Sequence, residues 1–141
     1  MNLDQYNRIV IIGHPASGKT TLADNLVKCE PKRSRYNSDS YLSHGYEQSL
    51  YALISDVDFG NPYIIEGIQG YRLLRKMVQL DLPLPDLIII CKASEKETER
   101  RYKERGKPVP LSTQKALDTV WFEFLSICKN HPPVVHFDTS I

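Results

Sequence analysis

The sequence predicts an α/β fold built on a parallel sheet, and three observations carry that expectation. Short apolar runs alternate with longer segments of helical spacing, the order expected of strand–helix units around such a sheet. The run RIVIIG, Arg8 to Gly13, is apolar and β-branched without a break, as in a strand buried on both faces. It leads straight into GHPASGKTT, residues 13–21, a glycine-containing loop that opens a helical segment. The expected architecture is a three-layer sandwich around a five-stranded parallel sheet.

The Arg8–Gly13 strand is the first element, and the loop after it has a defined spacing. Gly13, four residues, then Gly18, Lys19 and Thr20 match a P-loop, so the expected class is a P-loop NTPase fold. Glycines tolerate the left-handed backbone that turns successive N–H groups inward around an anion. The lysine sets a positive charge against the β and γ oxygens, and the neighbouring hydroxyl ligates Mg²⁺. Gly13, Ser17, Gly18, Lys19, Thr20 and Thr21 are therefore the expected nucleotide-binding residues, with ATP or GTP and Mg²⁺ as cofactors. The helix KTTLADNLVKC, 19–29, follows with Leu22, Leu26 and Cys29 on one face.

RSRYNSD, 33–39, reads as a short second strand, and SYLSHGYEQSLYALISDV, 40–57, as mostly helical with a break near Gly45. PYIIEGI, 62–68, is the third strand and YRLLRKMVQL, 71–80, the helix after it. DLIIICKAS, 86–94, is the fourth strand, and EKETERRYKERG, 95–106, is a charged helix. STQKALDTVWFEFLSICK, 112–129, is the longest helix, with Ser112 as its expected N-cap. PVVHFDT, 133–139, closes the sheet as the fifth strand.

A chain of 141 residues is enough for one domain with a real core, so residues 1–141 are expected to form a single unit. The formal net charge is +1, so global charge points to neither a nucleic-acid nor a membrane partner. Cys29, Cys91 and Cys128 are odd in number and far apart, which suggests reduced core thiols in place of a disulfide framework. The sequence shows no leader pattern and no apolar run near the ~18 residues of a membrane span. The expected location is cytoplasmic.

In open α/β sheets ligands sit at the carboxyl ends of the strands, and two carboxylates fall there. Asp39, ending the second strand, suits a general base that orients an acceptor hydroxyl and takes its proton; it also suits a helix cap. The segment Asn37 to Tyr41 contains no arginine, whereas a phosphate acceptor would favour one. Glu66, ending the third strand, suits a role beside Thr20 in handling Mg²⁺, or contact with the acceptor. Asp86 lies at the amino end of its strand and reads as structural.

Tyr41, Tyr46 and Tyr51 follow Asp39, and Tyr41 is a candidate for stacking on an acceptor base. Arg72, with Arg75 and Lys76, either contacts an acceptor phosphate or a nucleic-acid backbone, or forms a solvated helix face. Arg101 and Arg105, four residues apart, share one helical face and can close over phosphates as a lid spanning about 95–110. Gly106 and Pro108 end that helix. His14 occupies a variable loop position with no assigned chemistry, and His131 and His136 read as structural. FDTS, 137–140, is expected to border the nucleotide base.

The P-loop, YNSDSY and ERRYKERGKPVP, in this order, resemble the small P-loop kinases, particularly the kinase domains of phage 5′-hydroxyl polynucleotide kinases. The similarity in order and spacing runs from about Arg8 to Pro110, and the P-loop is its most specific part. It implies a nucleotide-kinase-like fold, Lys19 and Thr20 on phosphates and Mg²⁺, Asp39 as general base, and Arg101 and Arg105 as lid arginines. It also implies the host cytoplasm if the chain is phage-encoded. Ser38 and Leu42 stand where that family carries arginines, and Glu66-Gly67 where it usually has an aspartate. NSDSYL and IIEGI are also similar to the uridine-kinase group, and a phage kinase acting on 5-hydroxymethyluracil in DNA is a third relative. All three imply phosphorylation of a hydroxyl.

The expectation is an ATP-dependent phosphotransferase in which Lys19, Asp39, Arg101 and Arg105 are catalytic, and Thr20 and Glu66 organise the metal. Asp39, Tyr41, Glu66 and Arg72 are expected to face the acceptor, a hydroxyl of a nucleic acid or of a small nucleoside or nucleotide. A nucleoside-monophosphate kinase and a nucleotide-dependent switch ATPase are the alternatives.

Overall fold

The computed structural model describes residues 3–140. Five strands, β1 (Arg8–Gly13), β2 (Ser34–Asn37), β3 (Tyr63–Glu66), β4 (Leu87–Lys92) and β5 (Val134–Asp138), pair in parallel in the order β2-β3-β1-β4-β5. The helices are α1 (Lys19–Cys29), α2 (Tyr46–Asp56), α3 (Gly70–Gln79), α4 (Glu95–Glu104) and α5 (Leu111–Ile127). A 3-10 segment, Ser38–His44, joins β2 to α2 and is separated from it at Gly45, where the sequence predicts the break.

The continuous apolar strands explain the layers. Side chains alternate across a strand, so Val10 and Ile12 face one side of the sheet while Ile9 and Ile11 face the other. On the first side they join Ile65 and Ile88 against Leu50 and Leu53 of α2, Leu73, Leu74 and Met77 of α3, and Leu117 and Phe124 of α5. On the second they join Ile64, Leu87 and Ile89 against Leu22, Ala23 and Leu26 of α1. All four β1 residues, Ile9 to Ile12, are fully buried. Complete burial of such a side chain stabilises the fold by about 1.5–3 kcal/mol relative to exposure.

Two boundaries and one burial differ from the sequence expectation. The second strand ends at Asn37, because Asn37 caps the 3-10 segment by accepting from the Asp39 backbone N–H. Helix α5 begins at Leu111, so Ser112 is not its N-cap. Pro110 holds that position, and its carbonyl accepts from Gln114 N at 3.0 Å. Cys29 is exposed at the end of α1, while Cys91 and Cys128 are buried free thiols as expected. Asp86 is structural: its carboxylate accepts from Asn7 N and Arg8 N, sealing the amino end of β1.

β1 lies between β3 and β4, both distant in sequence, so the chain crosses over beside it. That crossover leaves a crevice at the carboxyl end of β1, where the glycine loop emerges.

Candidate active site

The loop between β1 and α1 is shaped by two left-handed residues, Ala16 at φ 64° and Gly18 at φ 95°. Gly13 is the last β1 residue, paired with Cys91 of β4. Lys19 is buried and donates through Nζ to His14 O at 2.8 Å and Ser17 Oγ at 3.4 Å. Burial pulls its ammonium below the ordinary lysine range, partly opposed by Asp39, Cys91 and Glu66. An anion at the loop would reverse that penalty by adding a further counter-charge.

The far end of β5 straps this loop. Thr139 Oγ1 donates to Ser17 O at 2.5 Å, and a Cβ on Gly18 would stand 2.9 Å from Thr139 Cγ2. Arg101 completes the strap, donating to Ala16 O at 2.7 Å and Thr139 O at 2.6 Å, while its Nε donates to Glu97 at 3.1 Å. Both expected lid arginines line one cleft. Arg101 ties α4 to the loop; Arg105, the residue that ends α4, lines the cleft beside it and stacks 5.7 Å from the Tyr102 ring centroid.

Thr20, at the start of α1, donates to the Glu66 carboxylate at 3.4 Å. Glu66 is 1% exposed, and its other oxygen accepts from Arg35 at 3.3 Å; Arg35 also pairs with Asp24. A hydroxyl and a buried carboxylate side by side are hard oxygen donors that fit Mg²⁺. Among the described residues no group of three or more His, Cys, Asp or Glu could hold a metal, so most of its ligands would be phosphate and water oxygens.

Asp39 does not cap its own helical segment. Its carboxylate crosses to the turn after β3, where one oxygen accepts from Ile68 N and the other from Gln69 N, each at 3.2 Å. Ser38 Oγ donates to the second oxygen at 3.2 Å. Gly67 makes the approach possible: it sits at φ 134°, and a Cβ there would overlap Ser38 Oγ and stand 3.0 Å from Asp39 Oδ1. Lys19, Thr20, Thr21, Asp39, Glu66 and Arg105 line a single cleft of about 860 Å³, with Phe137, Asp138 and Thr139 at its edge.

Two expected acceptor residues lie elsewhere. The Tyr41 hydroxyl donates to Asp56 at 2.7 Å, and that bond together with burial pushes it up to about 12. Arg72 lies 5.0 Å from the Tyr46 ring centroid; neither Tyr41 nor Arg72 lines the cleft. Arg75 and Lys76 pair with Glu123 and Glu47, a charged helix face. In each case an intramolecular partner holds the side chain that the sequence leaves free.

Sequence reasoning gives no role to His14. Its Nε2 is 2.7 Å from Asp118 Oδ1, in the wall of a second cavity of about 560 Å³ on the other side of the loop. His136 lines the same cavity. The His14–Asp118 pair spans 104 positions, and no local pattern announces it.

The five-stranded parallel sheet of order β2-β3-β1-β4-β5, with helices packed on both faces, defines an α/β fold. Solved structures share it at low sequence identity. A gluconokinase from Sinorhizobium meliloti is similar at 17% identity and a TM-score of 0.60, over 96% of this chain and 83% of that one. Thymidylate kinase from Candida albicans is similar at 15% identity and a TM-score of 0.55, over 96% and 86%. A deoxyadenosine kinase from M. mycoides is similar at 15% and 0.52, over 92% and 89%. No protein-family model matches the chain, and no curated protein sequence matches it. No helix among the described residues is long and apolar enough to cross a membrane.

Proposed function

We propose that this chain is a P-loop kinase that transfers the γ-phosphoryl group of ATP, or GTP, to a hydroxyl of a nucleoside, nucleotide or nucleic acid. The observation that carries this reading is Asp39: a carboxylate fixed by three donors in the cleft that Lys19 and Thr20 also line. The solved structures named above are kinases by name, for a sugar acid, a nucleotide and a nucleoside. The resemblance to 5′-hydroxyl polynucleotide kinases and uridine kinases, the action on a hydroxymethylated base, and a cytoplasmic location are finer parts of the same proposal.

In this reading the loop N–H groups cradle the phosphates and Lys19 neutralises them. Thr20 and Glu66 would hold Mg²⁺, which would supply positive charge to the phosphates. Asp39 orients the acceptor hydroxyl and takes its proton as the new O–P bond forms and the bond to the bridging β–γ oxygen breaks, leaving the nucleoside diphosphate. Arg105 offsets charge on the transferred group, and the 95–110 segment acts as a lid over a single domain. Arg101 holds the lid helix to the loop.

Labelled γ-phosphate offered with 5′-hydroxyl oligonucleotides, hydroxymethylated DNA, nucleosides and monophosphates tests this. Label is expected on a hydroxyl, with kcat lowered by roughly 10²-fold in Asp39→Asn and in Arg105→Ala. Label confined to monophosphates at an unchanged rate in Asp39→Asn, or hydrolysis without transfer, would overturn it.

A further inference from the structure

The cleft explains how phosphates are held, but the second cavity beside it has no part in that chemistry. It lies between the loop, the end of β4 and helices α3, α4 and α5, and it meets the cleft along Pro15 and Ser17, which line both spaces. Its volume of about 560 Å³ falls in the ordinary range, about 300–1,000 Å³, of small-molecule sites. We infer that this cavity seats the body of the acceptor, and that the acceptor is an uncharged, unphosphorylated aromatic molecule of nucleoside size. Its reacting hydroxyl would pass over the Pro15–Ser17 edge into the cleft that Asp39 lines.

The lining selects this chemistry. Tyr71 and Trp121 offer aromatic surface, and Ile90, Val109 and Leu111 supply apolar walls suited to a planar ring. The charged groups are Asp118, Glu95 and Glu99 against Lys92 alone, an excess of negative charge that disfavours a phosphate ester. The arginines of the neighbouring elements lie elsewhere: Arg72 over Tyr46, Arg75 with Glu123, Arg100 with Glu97 and Glu104, Arg101 with the loop and Arg105 in the cleft. Asp118 is the polar anchor. One of its oxygens is 2.7 Å from His14 Nε2, and the other makes no hydrogen bond with a described residue, so it can accept from a sugar hydroxyl or an exocyclic amine. His14 fixes that carboxylate against the loop and so ties acceptor position to phosphate position.

The inference rests on the phosphotransferase reading only in calling the occupant an acceptor, and the test separates the two. Trp121 is the sole tryptophan, so its fluorescence reports the cavity directly. Full-length protein is titrated with adenosine, cytidine, guanosine and thymidine, with their 5′-monophosphates, and with a 5′-hydroxyl oligonucleotide. At least one nucleoside should change the signal saturably and bind 10-fold or more tighter than its monophosphate or the oligonucleotide. Asp118→Asn, an exposed isosteric change, should weaken that nucleoside by about 10-fold and raise its KM with little change in kcat, since a hydrogen bond to a charged group is lost. Equal or tighter binding of the monophosphate or oligonucleotide would overturn the inference. So would transfer to a hydroxyl acceptor with a silent Trp121 and an unchanged KM in Asp118→Asn, an outcome that leaves the kinase reading intact. Nucleoside binding at Trp121 with no transfer to any hydroxyl would sustain the site but overturn its acceptor role together with the kinase reading.

Discussion

Gly67 and Asp39 depend on each other more closely than their separation in the sequence suggests. The Asp39 carboxylate reaches two backbone N–H groups only because Gly67 has no side chain and holds a left-handed φ of 134°. In Gly67→Ala the new Cβ meets Ser38 Oγ and the carboxylate, and the alanine is also strained at that φ. The expected loss is about 2–4 kcal/mol of stability, from backbone strain and overpacking together. A thermal melt measures the first effect. On the proposed mechanism kcat also falls, by about 10-fold or more, because the base is displaced. Unchanged melting and turnover would show that Asp39 needs no such fixed seat.

At the scale of elements, α4 illustrates how local charge orders a segment that buries little. Its mean composition is charged, and Tyr102 is its only buried residue. Ser94 caps it by accepting from Glu97 N at 3.1 Å, Glu95 and Glu97 sit in the first turn, and Arg101 and Lys103 in the last, each favourable to the helix dipole. Glu97 pairs with both Arg100 and Arg101, and the Arg100 bond is the main reason that its carboxyl falls from the ordinary 4.5 to about 2. A carboxyl lowered in the folded state contributes stability above its unfolded value and loses it as pH falls through the folded one. Glu97→Gln should therefore loosen α4 at pH 7, with the difference from wild type vanishing between about pH 4.5 and 2. Amide exchange in α4 across that range checks this; a pH-independent difference would mean that the pairs contribute nothing.

For the whole molecule, the proposed nucleotide site predicts a ligand-dependent stability. A nucleotide present at about 100 times its dissociation constant adds about 2.7 kcal/mol, roughly an 8 °C rise in Tm for a chain of this size. Lys19→Ala should cut that rise by more than half, because the buried ammonium is the principal charge at the loop. Differential scanning calorimetry with ATP and Mg²⁺ decides it, and an equal rise in both proteins would remove Lys19 from the site.

The fold and the glycine loop between β1 and α1 were legible in the sequence because both are set by local rules. Continuous β-branched runs make buried parallel strands, and Gly18 takes the left-handed φ that the turn from β1 into α1 needs. Asp39 and Glu66 were legible because strand ends in such sheets converge. Only the tertiary structure decided which side chains remain available. Tyr41 is taken by Asp56 and Arg72 sits over Tyr46, while Arg101, tied to Ala16 and Thr139, and Arg105 both line the cleft. It alone joined His14 to Asp118 and made Pro110 the N-cap of α5. The reason is physical: a sequence pattern fixes what a residue can do, but hydrogen-bond partners far apart in the chain meet only after the sheet and its helices have packed.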